Sequence, residues 1–216
     1  MKYVAVLPFV VQHYRDACVE HCRLDNVLEV DNTAENRGVM RSHNLGVDFM
    51  RDQDADWLII ISAAIRFGPA GGLDLIRTLE TTHKDAHVVN AVGVYGWHLM
   101  AFARETVEAA GRWDENYHPY GFDDNDYAIR IHKAIPDGKW WGTAVEVTDT
   151  IMGHSIKIGG VTTDDAKHLA YFTEKWGDVP GPPFEAYYDT PWNDPTNPIG
   201  YWPATMGAEW DKPAPC

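Results

Sequence analysis

Between Gly111 and Ala134 the chain concentrates carboxylates: Asp114, Glu115, Asp123, Asp124 and Asp126 surround a Tyr120-Gly121-Phe122 turn. The residues after the turn read as an amphipathic helix to about Ala134. Tyr127, Ile129, Ile131 and Ala134 supply its apolar positions, and Arg130, His132 and Lys133 its polar ones. Carboxylates at the start of a helix can cap it, accept a proton or hold a metal ion. One Asp suffices for a cap, so three within the four residues 123–126 favour chemistry over capping alone. Asp114 and Glu115 fit two roles equally, hydrogen-bonding a turn or touching a substrate. Cys18 and Cys22, with His21 between them, suggest zinc, but a structural site needs four ligands and no second Cys/His pair follows at a useful spacing. These thiols are read as reduced and half-buried.

The elements that must position the carboxylates alternate along the first half of the chain. The sequence predicts a buried strand over 3–9, a short helix over 14–22 and a strand over 26–30 that ends in Asp31-Asn32. It then predicts a helix over 36–50, a wholly apolar strand over 57–61, a helix over 73–81 and a strand over 86–94. This alternation predicts an α/β fold, a mostly parallel sheet with helices on its faces. Ligands of such sheets lie beyond the carboxyl ends of the strands, which directs attention to Pro8–Gln12, Asp31–Asn36 and Ser62–Arg66. The second half reads as a strand-like segment over 97–104, a short helix over 105–110, the acidic turn and its helix, a strand over 140–147 and a helix over 163–176. From Asp178 a Pro/Gly-rich tail of about forty residues carries Tyr187, Tyr188, Trp192, Tyr201, Trp202 and Trp210. That aromatic content predicts a tail (179–216) packed on the domain or on a partner subunit, where it can support an oligomer.

Composition bounds the partners. A chain of 216 residues that is 45% hydrophobic can bury one good core, here assigned to 1–178. Its net charge of −14 argues against non-specific binding to nucleic acid or anionic membranes, because phosphate neutralisation needs clustered Lys and Arg. No apolar run approaches the roughly 20 residues of a spanning helix. The start, Met1-Lys2-Tyr3-Val4, is too strand-like for a signal peptide, so the sequence predicts a cytoplasmic protein.

Five co-linear segments carry a resemblance. They are Val4-Ala5-Val6-Leu7-Pro8, Val30-Asp31-Asn32, Asn36 to Gly46, Gly111 to Arg130 with its Tyr120-Gly121-Phe122-Asp123-Asp124-Asn125-Asp126 core, and His154 followed by Tyr171 to Gly177. In these the chain resembles the GT-A glycosyltransferases of the family-2, inverting type, over roughly 3–178. The resemblance implies a Rossmann-like fold with a nucleotide-sugar half (about 1–95) and an acceptor or catalytic half (about 96–178). It implies a nucleotide-diphosphate sugar as donor and Asp123 and Asp124 as the catalytic acidic pair, Asp124 being the base. Pro8, Asp31, Arg37, Arg41, Ala64 and Arg66 would line the donor, with Asn36, Arg37, Arg41 and Asn44 on the helix after the second strand. Asp114, Glu115, Tyr120, Gly121 and Asp126 would face the acceptor. That acceptor is a glycan, a lipid-linked sugar, a protein or a modified base.

Taken singly, Asp31 also fits an Asx-turn, each Arg a solvated surface role, Asp126 a support for the turn, and Asn44 and Gly46 packing. One departure from the family stands out. Its Asp-x-Asp, whose last carboxylate binds Mn²⁺ or Mg²⁺, is replaced by Ser62-Ala63-Ala64. Asp52, Asp54 and Asp56 precede the strand and lie at its wrong end. A metal would then rest on His154 and the acidic pair, or the Arg66 guanidinium would neutralise the diphosphate instead. Two further readings remain: a degenerate fold that binds nucleotide sugar or glycan without turnover, and a metal-dependent hydrolase built on the same carboxylates and His154.

Overall fold

The computed structural model describes residues 1–81, 85–92, 97–145, 147–150 and 165–176. Trp57–Ile61, five apolar residues in a row, form the central strand β3, and all five are buried. A strand covered on both faces requires such a run. Strand β1 (Tyr3–Phe9) pairs with it in parallel, from Tyr3 opposite Trp57 to Val6 opposite Ile60. On the far side of β1 lies β2 (Val27–Asp31), also parallel, with Phe9 opposite Asp31. Beyond β3 the order continues with β6 (Leu99–Ala103), β5 (Val88–Val92) and β7 (Trp140–Ala144), completing a six-stranded sheet. Strand β6 is antiparallel to both neighbours, whereas β5 and β7 pair in parallel. The mostly parallel sheet therefore contains one reversed strand.

Alternate residues of each strand feed opposite faces. Val4, Val6, Leu58 and Ile60 join one core with α2 (Val39–Asp52), α4 (Arg104–Ala110), α5 (Asp123–Ala134) and α6 (Asp165–Trp176). Ala5, Leu7, Ile59 and Ile61 join the other with α1 (Gln12–Val19) and α3 (Leu73–Thr81). Gly46 lets α2 lie close on the sheet: a Cβ there would stand 2.8 Å from Val6 Cγ1 and 3.1 Å from Leu58 Cδ1. Cys18 and Cys22 are free, and both are buried in the second core where the sequence suggested half-buried thiols.

Several boundaries differ from the sequence reading. The first helix ends at Val19, because the chain turns at Arg23 with φ 54° and the Cys22 carbonyl accepts from the Gly72 amide at 2.7 Å. Helix α2 starts at Val39, so Asn36 and Arg37 lie in the loop before it and not on the helix. Gly38 holds φ 83°, and Asn36 Oδ1 takes its amide at 3.0 Å. The stretch expected as one strand over 140–147 divides. Strand β7 stops where Ala144 meets Val92, and β8 (Val147–Thr150) pairs antiparallel with β4 (Ile65–Phe67), a short strand the sequence did not suggest. The tail after Trp176, and His154, lie outside the described residues. Among those residues no helix is long and apolar enough to cross a membrane.

Candidate active site

The carboxyl ends of β1, β2 and β3 form the edge from which the site is built. Pro8 and Asp31 sit on adjacent strands there, and the Asn32 amide continues the pairing to the Phe9 carbonyl at 2.9 Å. Asp31 is exposed. Its Oδ1 accepts from the Thr33 amide at 2.8 Å and the Thr33 hydroxyl at 2.7 Å, which lowers its pKa. This Asx-turn leaves an anionic oxygen at the strand end, so the turn role and a ligand role coexist. Buried Asn32 anchors the loop, donating to Ser42 Oγ at 3.1 Å and accepting from the Arg37 amide at 3.4 Å. Arg37 is half-buried. Arg41 is an exposed α2 residue whose Nε lies 3.4 Å from Glu115 Oε2, so a residue expected at the donor meets one expected at the acceptor. Glu115 also takes a hydrogen bond from Asn44, whose amide holds both backbone groups of Trp113.

The end of β3 is different in kind. Ser62 closes a turn, its hydroxyl accepting from the Ala64 amide at 3.2 Å, and Ala64 is 3% exposed. Arg66 does not extend into open space: its Nη1 donates to the carbonyls of Ala63 and Ile65, both at 2.9 Å, and of Tyr14 at 3.3 Å. Its guanidinium also lies over the Tyr14 ring at 5.5 Å. One nitrogen of the guanidinium, Nη1, is thus engaged with backbone.

The acidic turn rides on α5. Phe122 takes the left-handed conformation with φ 61°, which costs a residue with a bulky side chain about 1 kcal/mol or more. Gly121 precedes it with φ 111°, and its amide donates to Asp123 Oδ1 at 2.8 Å. Asp124 Oδ1 accepts from the Asn125 amide at 2.8 Å. Both carboxylates stay partly exposed, yet the protein around them removes enough water to raise their proton affinity. For Asp123 desolvation is the larger cause and the adjacent Asp124 charge the next. The two titrate as a pair above the usual carboxylate range.

Two bonds tie this turn to the loop after β2. The Val39 amide donates to the Pro119 carbonyl at 2.9 Å, and His118 Nε2 donates to the Asn36 carbonyl at 2.8 Å. The α5 start also faces the sheet edge, since Tyr127 packs edge-on to Trp97, two residues before the strand that begins opposite Ile61. The structure thus brings the Asp31–Arg37 loop and the Asp123–Asp124 turn to one side of the molecule.

Asp126 behaves otherwise, and the expectation of an acceptor contact needs correcting. It is fully buried. Its Oδ2 accepts from Arg130 Nε at 2.9 Å; its Oδ1 takes Trp176 Nε1 at 2.8 Å, Lys175 Nζ at 2.7 Å and the Tyr117 hydroxyl at 3.4 Å. No ligand reaches it without breaking these bonds, so it supports the turn. Asp114 is drawn into the same network, accepting from Lys175 Nζ at 2.6 Å and from Tyr171 at 2.8 Å, with the Asn116 amide at 3.0 Å. Partial burial works against its charge, but Lys175, Asn116 and Tyr171 together outweigh it and bring its pKa down to about 2. Lys175 was missed as a site-building residue. Its signal lay in Tyr171, Phe172, Lys175 and Trp176, one stripe at helical spacing. Tyr120 and Gly121, the remaining acceptor-side candidates, flank this turn at intermediate exposure.

A hard cation would ask for several oxygen ligands. The β3 end presents methyl groups where a ligand is expected, and among the described residues no group of three or more His, Cys, Asp or Glu side chains could hold an ion.

No family model matches the chain, and no curated protein matches it. Solved structures do resemble it. A mannosyltransferase from Pyrobaculum calidifontis, in complex with GDP-Man and Mn²⁺, superposes with a TM-score of 0.54 at 16% identity, covering 99% of this chain and 76% of its own. Glucosyl-3-phosphoglycerate synthase from Mycobacterium tuberculosis, in complex with Mn²⁺, UDP and phosphoglyceric acid, gives 0.51 at 10% identity, covering 76% and 80%. At such identities the likeness speaks for architecture, a six-stranded, mostly parallel sheet flanked by helices. This chain has the GT-A fold of the glycosyltransferases.

Proposed function

We propose that the protein transfers a sugar from a nucleotide-diphosphate donor to an acceptor hydroxyl, with inversion at the anomeric carbon. The acidic pair on the first turn of α5 carries this reading: adjacent carboxylates, partly exposed, with raised proton affinity, in a GT-A fold. In the reaction the acceptor O–H gives its proton to Asp124. Its oxygen bonds to the anomeric carbon, and the bond from that carbon to the diphosphate breaks, its electron pair leaving with the nucleoside diphosphate. A base with raised proton affinity suits this task better than an ordinary carboxylate. With Asp123 beside it, the pair does not carry two full charges at once. Pro8 and Asp31 would receive the nucleoside, and Arg37, in the loop beside Asp31, would offset diphosphate charge. Tyr120, Gly121 and Glu115 border the acceptor side.

Replacing Asp124 tests the assignment. Asp124→Asn should lower nucleoside diphosphate release from the cognate donor by at least about 10²-fold, the scale of a lost general base. The thermal upshift given by that nucleoside diphosphate should persist, since binding is left intact. A variant that turns over at the wild-type rate removes Asp124 from the role.

One observation favours a second reading. Buried Ala64 places a methyl group where the family's metal-binding carboxylate is expected, and Arg66 Nη1 donates to backbone carbonyls. A protein that only binds nucleotide sugar or glycan would show the thermal upshift with wild-type protein and release no nucleoside diphosphate.

A further inference from the structure

Helix α6 meets the acidic loop in a matched register. His168 Nε2 donates to the His118 carbonyl at 3.0 Å, Phe172 packs on Phe122 with ring centroids 5.4 Å apart, and Trp176 Nε1 donates to Asp126 at 2.8 Å. Residues 168, 172 and 176 thus engage 118, 122 and 126, four apart on both sides. Between these rungs Lys175 Nζ joins Asp114 at 2.6 Å to Asp126 at 2.7 Å. Phe172 is fully buried, and Lys175 lies within 5.8 Å of the Tyr117 and Tyr171 ring centres and 5.5 Å of that of Trp176.

The turn that α6 grips carries backbone strain. Phe122 is left-handed without being glycine, no side chain caps α5 at that residue, and two carboxylates follow side by side. The left-handed Phe122 costs energy, so surrounding structure must over-determine it. The α6 contacts fall on Phe122 and Asp126, the residues that bracket Asp123 and Asp124.

We infer that α6 is a clamp: Phe172, Lys175 and Trp176 hold the 121–126 turn in the shape that aims the Asp124 carboxylate, with Lys175 and Trp176 as positioning residues. This rests on the transferase reading, in which Asp124 is the base. Misplacing a base while leaving the donor edge of β1 and β2 intact lowers turnover more than affinity.

The experiment compares Lys175→Met, Trp176→Phe and Lys175→Arg in the 216-residue chain. Two readouts are taken: turnover with the cognate nucleotide sugar, and hydrogen exchange of the backbone amides of 121–126 against those of β1 and β3. Lys175→Met should lower kcat by about 10–100-fold with donor KM within about threefold of wild type. It should speed exchange in 121–126 at least tenfold and leave β1 and β3 protected. Lys175→Arg should restore both readouts to within about threefold, since its guanidinium can span the two carboxylates. Trp176→Phe keeps the ring and removes the indole donor, so it gives a milder version of the same pattern should Lys175→Met unfold. Unchanged exchange in 121–126, or equal acceleration across β1 and β3, overturns the clamp. Wild-type protein with no turnover on any nucleotide sugar overturns the transferase reading instead, and the exchange data still decide the clamp.

Discussion

Asp126 is surrounded by Lys175, Arg130 and an indole N–H, while Asp123, three residues earlier, has a like charge beside it and the Gly121 amide as its partner. The same side chain is thus committed to structure at one position and left poised at the other. The difference has a measurable consequence. The folded-state pKa of Asp123 lies above its ordinary value of 3.8. Its contribution to stability is therefore fully present below that value and is lost as pH rises through the raised one. Asp123→Asn keeps the oxygen that accepts from Gly121 and removes the charge. Its melting temperature should exceed that of wild type by roughly 2–4 °C near pH 8, equivalent to about 1 kcal/mol, and match wild type near pH 4. A wild type that is more stable than the variant at pH 8 would mean that Asp123 has a cationic partner. At this scale the site was legible where it is local in sequence. Three Asp residues in four announce a charged turn, but nothing near Asp126 announces Lys175, forty-nine residues on.

At the scale of elements, legibility followed burial. The five apolar residues of β3 can satisfy no other environment, and Leu73–Thr81 shows its face by period, so both were bounded correctly from sequence. Direction and pairing were not readable. The apolar run of β6 carries no sign of running against its neighbours, and three-residue β4 acquires its identity from pairing with β8. Helix α2 shows what a single residue contributes to such packing. Gly46→Ala would place a methyl group 2.8 Å from Val6 Cγ1, inside contact distance, between a helix and two central strands. The variant should lose about 1–3 kcal/mol in urea unfolding with an unchanged denaturant slope. A neutral result would show that α2 can lift off the sheet without cost.

For the whole molecule, the alternation of strands and helices gave the class of fold, and the solved transferases share its architecture at 16% and 10% identity. Two segments far apart in sequence, 32–39 and 114–123, are hydrogen-bonded through Pro119 and His118. That contact is a product of tertiary structure and has no local sequence mark. The central claim is that this assembly turns over a nucleotide sugar. It is tested most directly by incubating the wild-type protein with a panel of nucleotide-diphosphate sugars and measuring nucleoside diphosphate release, with melting temperature followed in parallel. The account predicts that a donor which raises the melting temperature is also consumed, releasing its nucleoside diphosphate over many turnovers. A donor that stabilises the protein and is recovered intact, even with glycan, lipid-linked sugar and protein acceptors supplied, would contradict it.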